Sequence, residues 1–160
     1  MLPNTYDSQN CSIARTLEVI GERWTPLILR DAILGARRFE DFQSSLGIAR
    51  NVLSARLSRL VDEGILERRR YQDRPAREEY VLTDKGRALE PVLLALLTWG
   101  DRFAAPDGPP TLLMHEACGH RLEADLVCGH CGEPVQPGGV VFEPGPGGGT
   151  PLAFRGPGAS

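Results

Sequence analysis

The sequence predicts a mainly α-helical domain carrying one small β-hairpin, an α+β arrangement, with a short cysteine-bearing appendage behind it. Three observations predict this. Apolar residues recur at helical spacing over residues 11–63 and again over 84–104. Between these stretches, residues 65–71 and 78–82 read as two strands around the turn Asp73, Arg74, Pro75, Ala76. Beyond a linker-like Pro106, Asp107, Gly108, Pro109, Pro110, three of the four cysteines cluster at 118, 128 and 131. The expected organisation is a main domain at 10–105, a small module at 112–142 and a loosely ordered Gly- and Pro-rich tail at 143–160. No internal repeat is evident.

Each element has its own signal. Ile13, Leu17 and Ile20 give the first helix its apolar face, and Gly21 ends it. Thr25 is the expected N-cap of the second helix, with Pro26 at its first position and Gly35 past its end. Phe39, Phe42 and Leu46 mark a short third helix, followed by a turn over 44–47. The fourth, over 50–63, buries Leu53, Leu57, Leu60 and Val61 and stops at Gly64. After the hairpin, Thr83 caps a helix expected over 84–104, kinked or delayed by Pro91.

Charge divides by region. The chain carries a formal −3, yet residues 37–77 hold ten arginines against six acids, which leaves −7 for the rest. A ligand within a Debye length of about 10 Å feels the nearer face rather than the total. Short helix, turn, longer helix and basic hairpin is the order of a winged helix-turn-helix, whose second helix enters the DNA major groove. On the helix at 50–63, Arg50, Asn51, Ser54, Ser58 and Arg59 lie away from the apolar stripe. Asn pairs bidentately with adenine and Arg with guanine, and small neighbours allow close approach. Arg56, nearer the core boundary, is expected to reach a phosphate or an internal acid. Arg74 and Arg77 at the hairpin tip suit a phosphate or minor-groove contact, and Arg37 and Arg38 are placed to clamp phosphate. The alternative is a solvated surface pairing with Glu67, Glu78 and Glu79.

These residues also carry a family resemblance. The run from Cys11 through Trp24 to Arg30 resembles the opening of HxlR-type regulators. Arg38, Phe39 and Phe42, then Leu53 to Leu57, Leu60 to Arg68 with Gly64, and Glu79 to Gly86 continue the likeness, over roughly residues 10–104. The resemblance implies a bacterial, homodimeric transcription factor that pairs through its terminal helices and binds a two-fold symmetric operator, with an effector that does not carry over. Some members sense oxidants or aldehydes through the N-terminal Cys. Here Cys11 holds that position but is followed by Ser12 where Pro is frequent. A helix start lowers thiol pKa, which makes Cys11 a redox candidate, although burial as a small apolar residue is the expected role.

In the appendage, His115 and Cys118 are followed after nine residues by Cys128 and Cys131. Two such pairs fit a closed, structural Zn2+ site, and 122–127 is expected as a strand in a zinc-ribbon-like hairpin. His120 and His130 compete as ligands; free thiols or a disulfide are the alternatives. Function classes narrow accordingly. No phosphate loop, nucleophile elbow or paired-carboxylate motif argues for an enzyme, and a four-ligand zinc leaves no open position. The longest apolar run, 92–97, is far short of the about 20 residues a membrane span needs, and no signal peptide is visible, so a cytoplasmic protein is expected. A zinc-dependent protein-interaction module is the second functional reading.

Overall fold

The computed structural model describes residues 5–6, 9–122, 124–143 and 145–147; most of the tail expected at 143–160 lies outside them. The chain divides into two compact units, one of residues Thr16–Thr111 and one combining the segment up to Arg15 with the segment from Leu112. The described elements run α1 (Ser12–Ile20), α2 (Thr25–Ile33), α3 (Phe39–Leu46), α4 (Arg50–Asp62), β1 (Leu66–Asp73), β2 (Ala76–Leu82), α5 (Asp84–Arg87) and α6 (Glu90–Phe103). The mainly α fold with one antiparallel hairpin is the expected one.

The core of the larger unit follows the predicted stripes of α3 and α4, while α1 buries Ile20 but exposes Leu17, and α2 buries Leu29 but exposes Leu27 and Leu34. Ile28 and Leu29 of α2, Phe42 of α3 and Leu53, Leu57 and Leu60 of α4 are fully buried, and Ile65 and Leu66 close the cluster from the start of the hairpin. Each such side chain contributes on the order of 1.5–3 kcal/mol relative to exposure. The hairpin is tied to the helices twice. Tyr80 N–H donates to the Arg37 carbonyl at 2.7 Å, and the Tyr80 ring meets Phe42 edge-on at 6.4 Å. Thr83 caps α5 as expected: its hydroxyl accepts from Gly86 N–H and donates to the Gly64 carbonyl.

Three expectations are corrected. Thr25 is not an N-cap; Trp24 holds that place without a side-chain bond, while Thr25 is buried and its N–H donates to the Glu22 carbonyl. A backbone turn had already closed that end of the helix. The single helix over 84–104 is two, because Pro91 supplies no N–H and its ring clashes with a continued helix; α6 restarts at Glu90 with Pro91 in its first turn. Among the described residues of 122–127 no strand forms, and the pairing there is confined to isolated bridges, Met114 with Arg121 and Val127 with Pro134.

The start of α3 is stabilised electrostatically. Asp41 Oδ2 accepts from Arg38 N–H at 2.8 Å and Arg37 N–H at 3.2 Å, and these donors hold its carboxyl below the usual range. A depressed folded value means stability that is present above the ordinary carboxylate range and lost as pH falls through the lower folded value. Asp41→Asn should therefore cost roughly 0.5–1 kcal/mol at neutral pH, and the gap to wild type should close under acid. Denaturant melts at a series of pH values check this; an acid-independent gap would contradict it.

Candidate nucleic-acid interface

Gly47, with φ of 62°, accepts the left-handed conformation that ends α3 and turns the chain toward α4. With Leu53, Leu57 and Leu60 inward, α4 presents Arg50, Asn51, Ser54 and Ala55 to solvent. Among the described residues, Asn51 and Ser54 make no side-chain hydrogen bond, so their polar groups are free for a ligand.

Arginines are not uniformly displayed. The Arg50 guanidinium lies 4.5 Å from the Phe39 ring centre and donates to Gln43 Oε1 at 3.3 Å, so α3 aims the leading end of α4. Arg38 lies 4.8 Å from the Tyr71 ring centre. Tyr71 sits where the strand register slips, between the pairs Arg70 with Glu78 and Gln72 with Arg77, and such a bulge re-aims a side chain. Arg38, Phe39, Tyr71 and Arg77 then line one open cleft of about 570 Å³. Two cation–ring contacts, Arg50 with Phe39 and Arg38 with Tyr71, and this cleft, which Glu40, Asp41 and Glu78 also line, thus mark a path from α4 to the hairpin. Phe39, Gln43 and Tyr71 were not among the residues expected to serve the site. No spacing rule marks them, because their role depends on which arginine they meet.

Other arginines are occupied. Arg56 reaches Glu22 at 2.7 Å, the internal acid of the two expected partners. Arg59 donates to the Glu18 carbonyl at 3.2 Å and lies 3.4 Å from Glu63, which ties α4 to α1. Ser58 accepts from Arg68 at 3.2 Å. Arg69 pairs with Glu67 at 2.7 Å and Arg70 lies 3.8 Å from Asp73. Among the described residues, Arg74 and Arg77 have no ion-pair partner and are exposed. Arg74 precedes Pro75 through a cis peptide at the tip.

The cysteine segment has a second kind of order. His115 N–H donates to the His120 carbonyl, Gly119 N–H to the His115 carbonyl and Leu122 N–H to the Leu113 carbonyl, each at 2.8 Å. Cys128 N–H to Glu133, Gly132 N–H to Cys128 and Val135 N–H to Leu126 repeat this pattern thirteen residues later, at 2.9, 2.8 and 2.7 Å. The segment is therefore a repeat of two knuckles, contrary to the reading of the sequence. His115 Nδ1 lies 3.2 Å from Cys118 Sγ. The backbone N–H groups of Cys131 and His130 and the Cys131 thiol hold the Cys128 thiol below its usual value. His120 Nδ1 is engaged by the Cys118 carbonyl at 2.9 Å. Among the described residues, no three His, Cys, Asp or Glu side chains gather at one point that would hold a metal ion. The residues expected as four ligands thus stand as two pairs. Cys11 is half-buried at the start of α1, where its carbonyl accepts from Arg15 N–H.

Comparisons with known proteins agree with this architecture. The family model of the HxlR-like helix-turn-helix matches residues 19–107. An uncharacterized HTH-type transcriptional regulator of Mycobacterium tuberculosis, Rv3095, is 47% identical over 137 residues, 85% of this chain and 87% of that protein. About 30 or more of those residues lie beyond the end of the family match. The crystal structure of PA1607, a candidate transcription factor, aligns with a TM-score of 0.75 and 39% identity over 84% of this chain and 94% of that one. The redox regulator HypR in its reduced form aligns with a TM-score of 0.55 and 33% identity over 61% of this chain and 99% of its own. With its short helix, turn, second helix and basic hairpin in this order, the chain belongs to the HxlR-like helix-turn-helix family.

Proposed function

We propose that the protein regulates transcription by binding a two-fold symmetric DNA operator as a homodimer, with α4 in the major groove and the hairpin on the backbone. The observation that carries this is the path from Arg50 through Phe39, Arg38 and Tyr71 to Arg77, which sets an unengaged polar helix face beside unpaired wing arginines. Arg50, Asn51 and Ser54 read base edges; Arg38, Arg74 and Arg77 meet phosphates or the minor groove. Ser58 and Arg59, held by Arg68 and α1, are given no base contact in this reading. No catalytic step is assigned.

The dimer rests on α6. Leu89 and Leu93 pack toward the core, while Val92, Leu96, Trp99 and Phe103 are 41%, 53%, 62% and 62% exposed at spacings of four, three and four residues. That is one helical face left without a partner among the described residues. Leu17 of α1 is also 41% exposed. Any thiol-based input is assigned to Cys11, since HypR, named a redox regulator, is a structural relative. Among the described residues no helix is long and apolar enough to cross a membrane.

Binding to DNA from the promoter upstream of the protein's own gene tests the reading. Asn51→Ala should weaken binding to the preferred sequence by about 1–3 kcal/mol, roughly 5- to 150-fold, and leave non-specific binding unchanged. Arg74→Ala should weaken both and lower the salt slope by about one. Equal loss on every sequence from Asn51→Ala would sink the readout assignment.

A further inference from the structure

We infer that the two knuckles of the C-terminal segment close on one zinc ion, held by His115, Cys118, Cys128 and Cys131. This goes beyond the DNA-binding reading and stands on separate observations.

The first is the repeated backbone. The two turns share three backbone hydrogen bonds thirteen residues apart, and each puts a glycine at positive φ, Gly119 at 68° and Gly132 at 76°, directly after its second candidate ligand. The superimposed positions are His115 with Cys128 and Cys118 with Cys131. Of all the paired positions, these carry the nitrogen and sulfur donors that zinc takes.

The second is the spacing within a pair. Zn–N of about 2.0–2.1 Å and Zn–S of about 2.3 Å at a tetrahedral angle put the two donors about 3.6 Å apart. His115 Nδ1 and Cys118 Sγ are 3.2 Å apart, so a small opening admits an ion. His115 is preferred to His120 because its Nδ1 already lies beside Cys118 Sγ, whereas His120 Nδ1 is engaged by the Cys118 carbonyl and only its Nε2 remains for an ion.

The third is the absence of a core. Among the described residues from 112 on, none is buried; Leu113, Leu122, Cys128 and Val135 are only half-buried, and Leu126 is 74% exposed. Two turns this regular need something other than apolar packing to hold them together. A metal cross-link between the two turns supplies it.

Metal content and thiol reactivity of the full-length protein, purified without added metal and without chelator, test the inference. One zinc per chain is expected, with three of the four thiols protected until a chelator is added. Cobalt substitution should give the visible bands of tetrahedral cobalt with sulfur ligands. Cys118→Ser and Cys131→Ser should each drop zinc to trace while the helical circular-dichroism signal of residues 16–111 persists; His120→Ala and Cys11→Ser should keep it. Zinc that survives Cys118→Ser, half an equivalent per chain from an ion shared between copies, or a metal-free protein with freely reactive C-terminal thiols or a Cys128–Cys131 disulfide would each overturn it.

Discussion

Trp99→Asp is expected to turn the dimer into a monomer and to remove tight operator binding while leaving the fold intact. Trp99 is 62% exposed and, among the described residues, its ring stacks only on Phe103, 5.5 Å away at a tilt of 44°. Its loss therefore leaves no hole in the monomer. In a two-fold interface the same patch meets itself, so each substitution acts twice. Losing a buried aromatic and burying a carboxylate in its place costs about 2–3 kcal/mol per copy, or about 4–6 kcal/mol per dimer. That is roughly a thousandfold or more in the dimer dissociation constant. Operator affinity should collapse toward that of one half-site. Sedimentation of wild type and variant, with circular dichroism alongside, checks this. A variant that sediments as a dimer would show that α6 is not the interface.

Phe42→Ala is expected to be the most damaging single change to the fold, by about 3–5 kcal/mol. Phe42 is fully buried, and its ring is the edge-to-face partner of Tyr80. It thus joins the helix preceding the turn to the hairpin. Native domains have only about 5–15 kcal/mol in total, so the variant should lie close to its unfolding midpoint under mild denaturant. Since Tyr80 also anchors β2 to Arg37, the wing should loosen before the helices melt. Urea melts and amide exchange of the hairpin read both effects. A loss below about 1 kcal/mol would mean that the core is not organised around this ring.

What the sequence made legible is what repeats along the chain. The apolar stripes of α3 and α4 predicted their inward faces, because burial in a helix follows its period; in α2 the expected face of Leu27, Ile28, Ala32 and Leu34 is only partly inward, since Leu29 is buried and Leu27 and Leu34 are exposed. The hairpin and its tip were equally plain from turn residues. Two kinds of information were not. Helix ends depended on local competition: Thr25 was drawn into the core instead of capping, and Pro91 divided one stripe into α5 and α6. At the site, arginines of equal appearance were sorted by tertiary partners. Arg59 faces α1, Arg56 an acid and Arg68 a serine, while Arg74 and Arg77 stay unpaired. The stacks on Phe39 and Tyr71, and the bulge that aims Tyr71, have no linear signature. The thirteen-residue repeat was hidden for a different reason: His115 and Cys128 occupy the same place with different side chains, so the likeness is in the backbone.

The claim that α4 and the wing read DNA as a two-fold pair meets its most direct test in hydroxyl-radical footprinting of the promoter region by the purified protein, at about 10⁻⁸ M, the weak end of typical specific affinities. The account predicts two symmetric protected patches with centres about 34–36 Å, or a whole number of helical turns, apart. Uniform protection that ignores sequence, or none at that concentration, would contradict it.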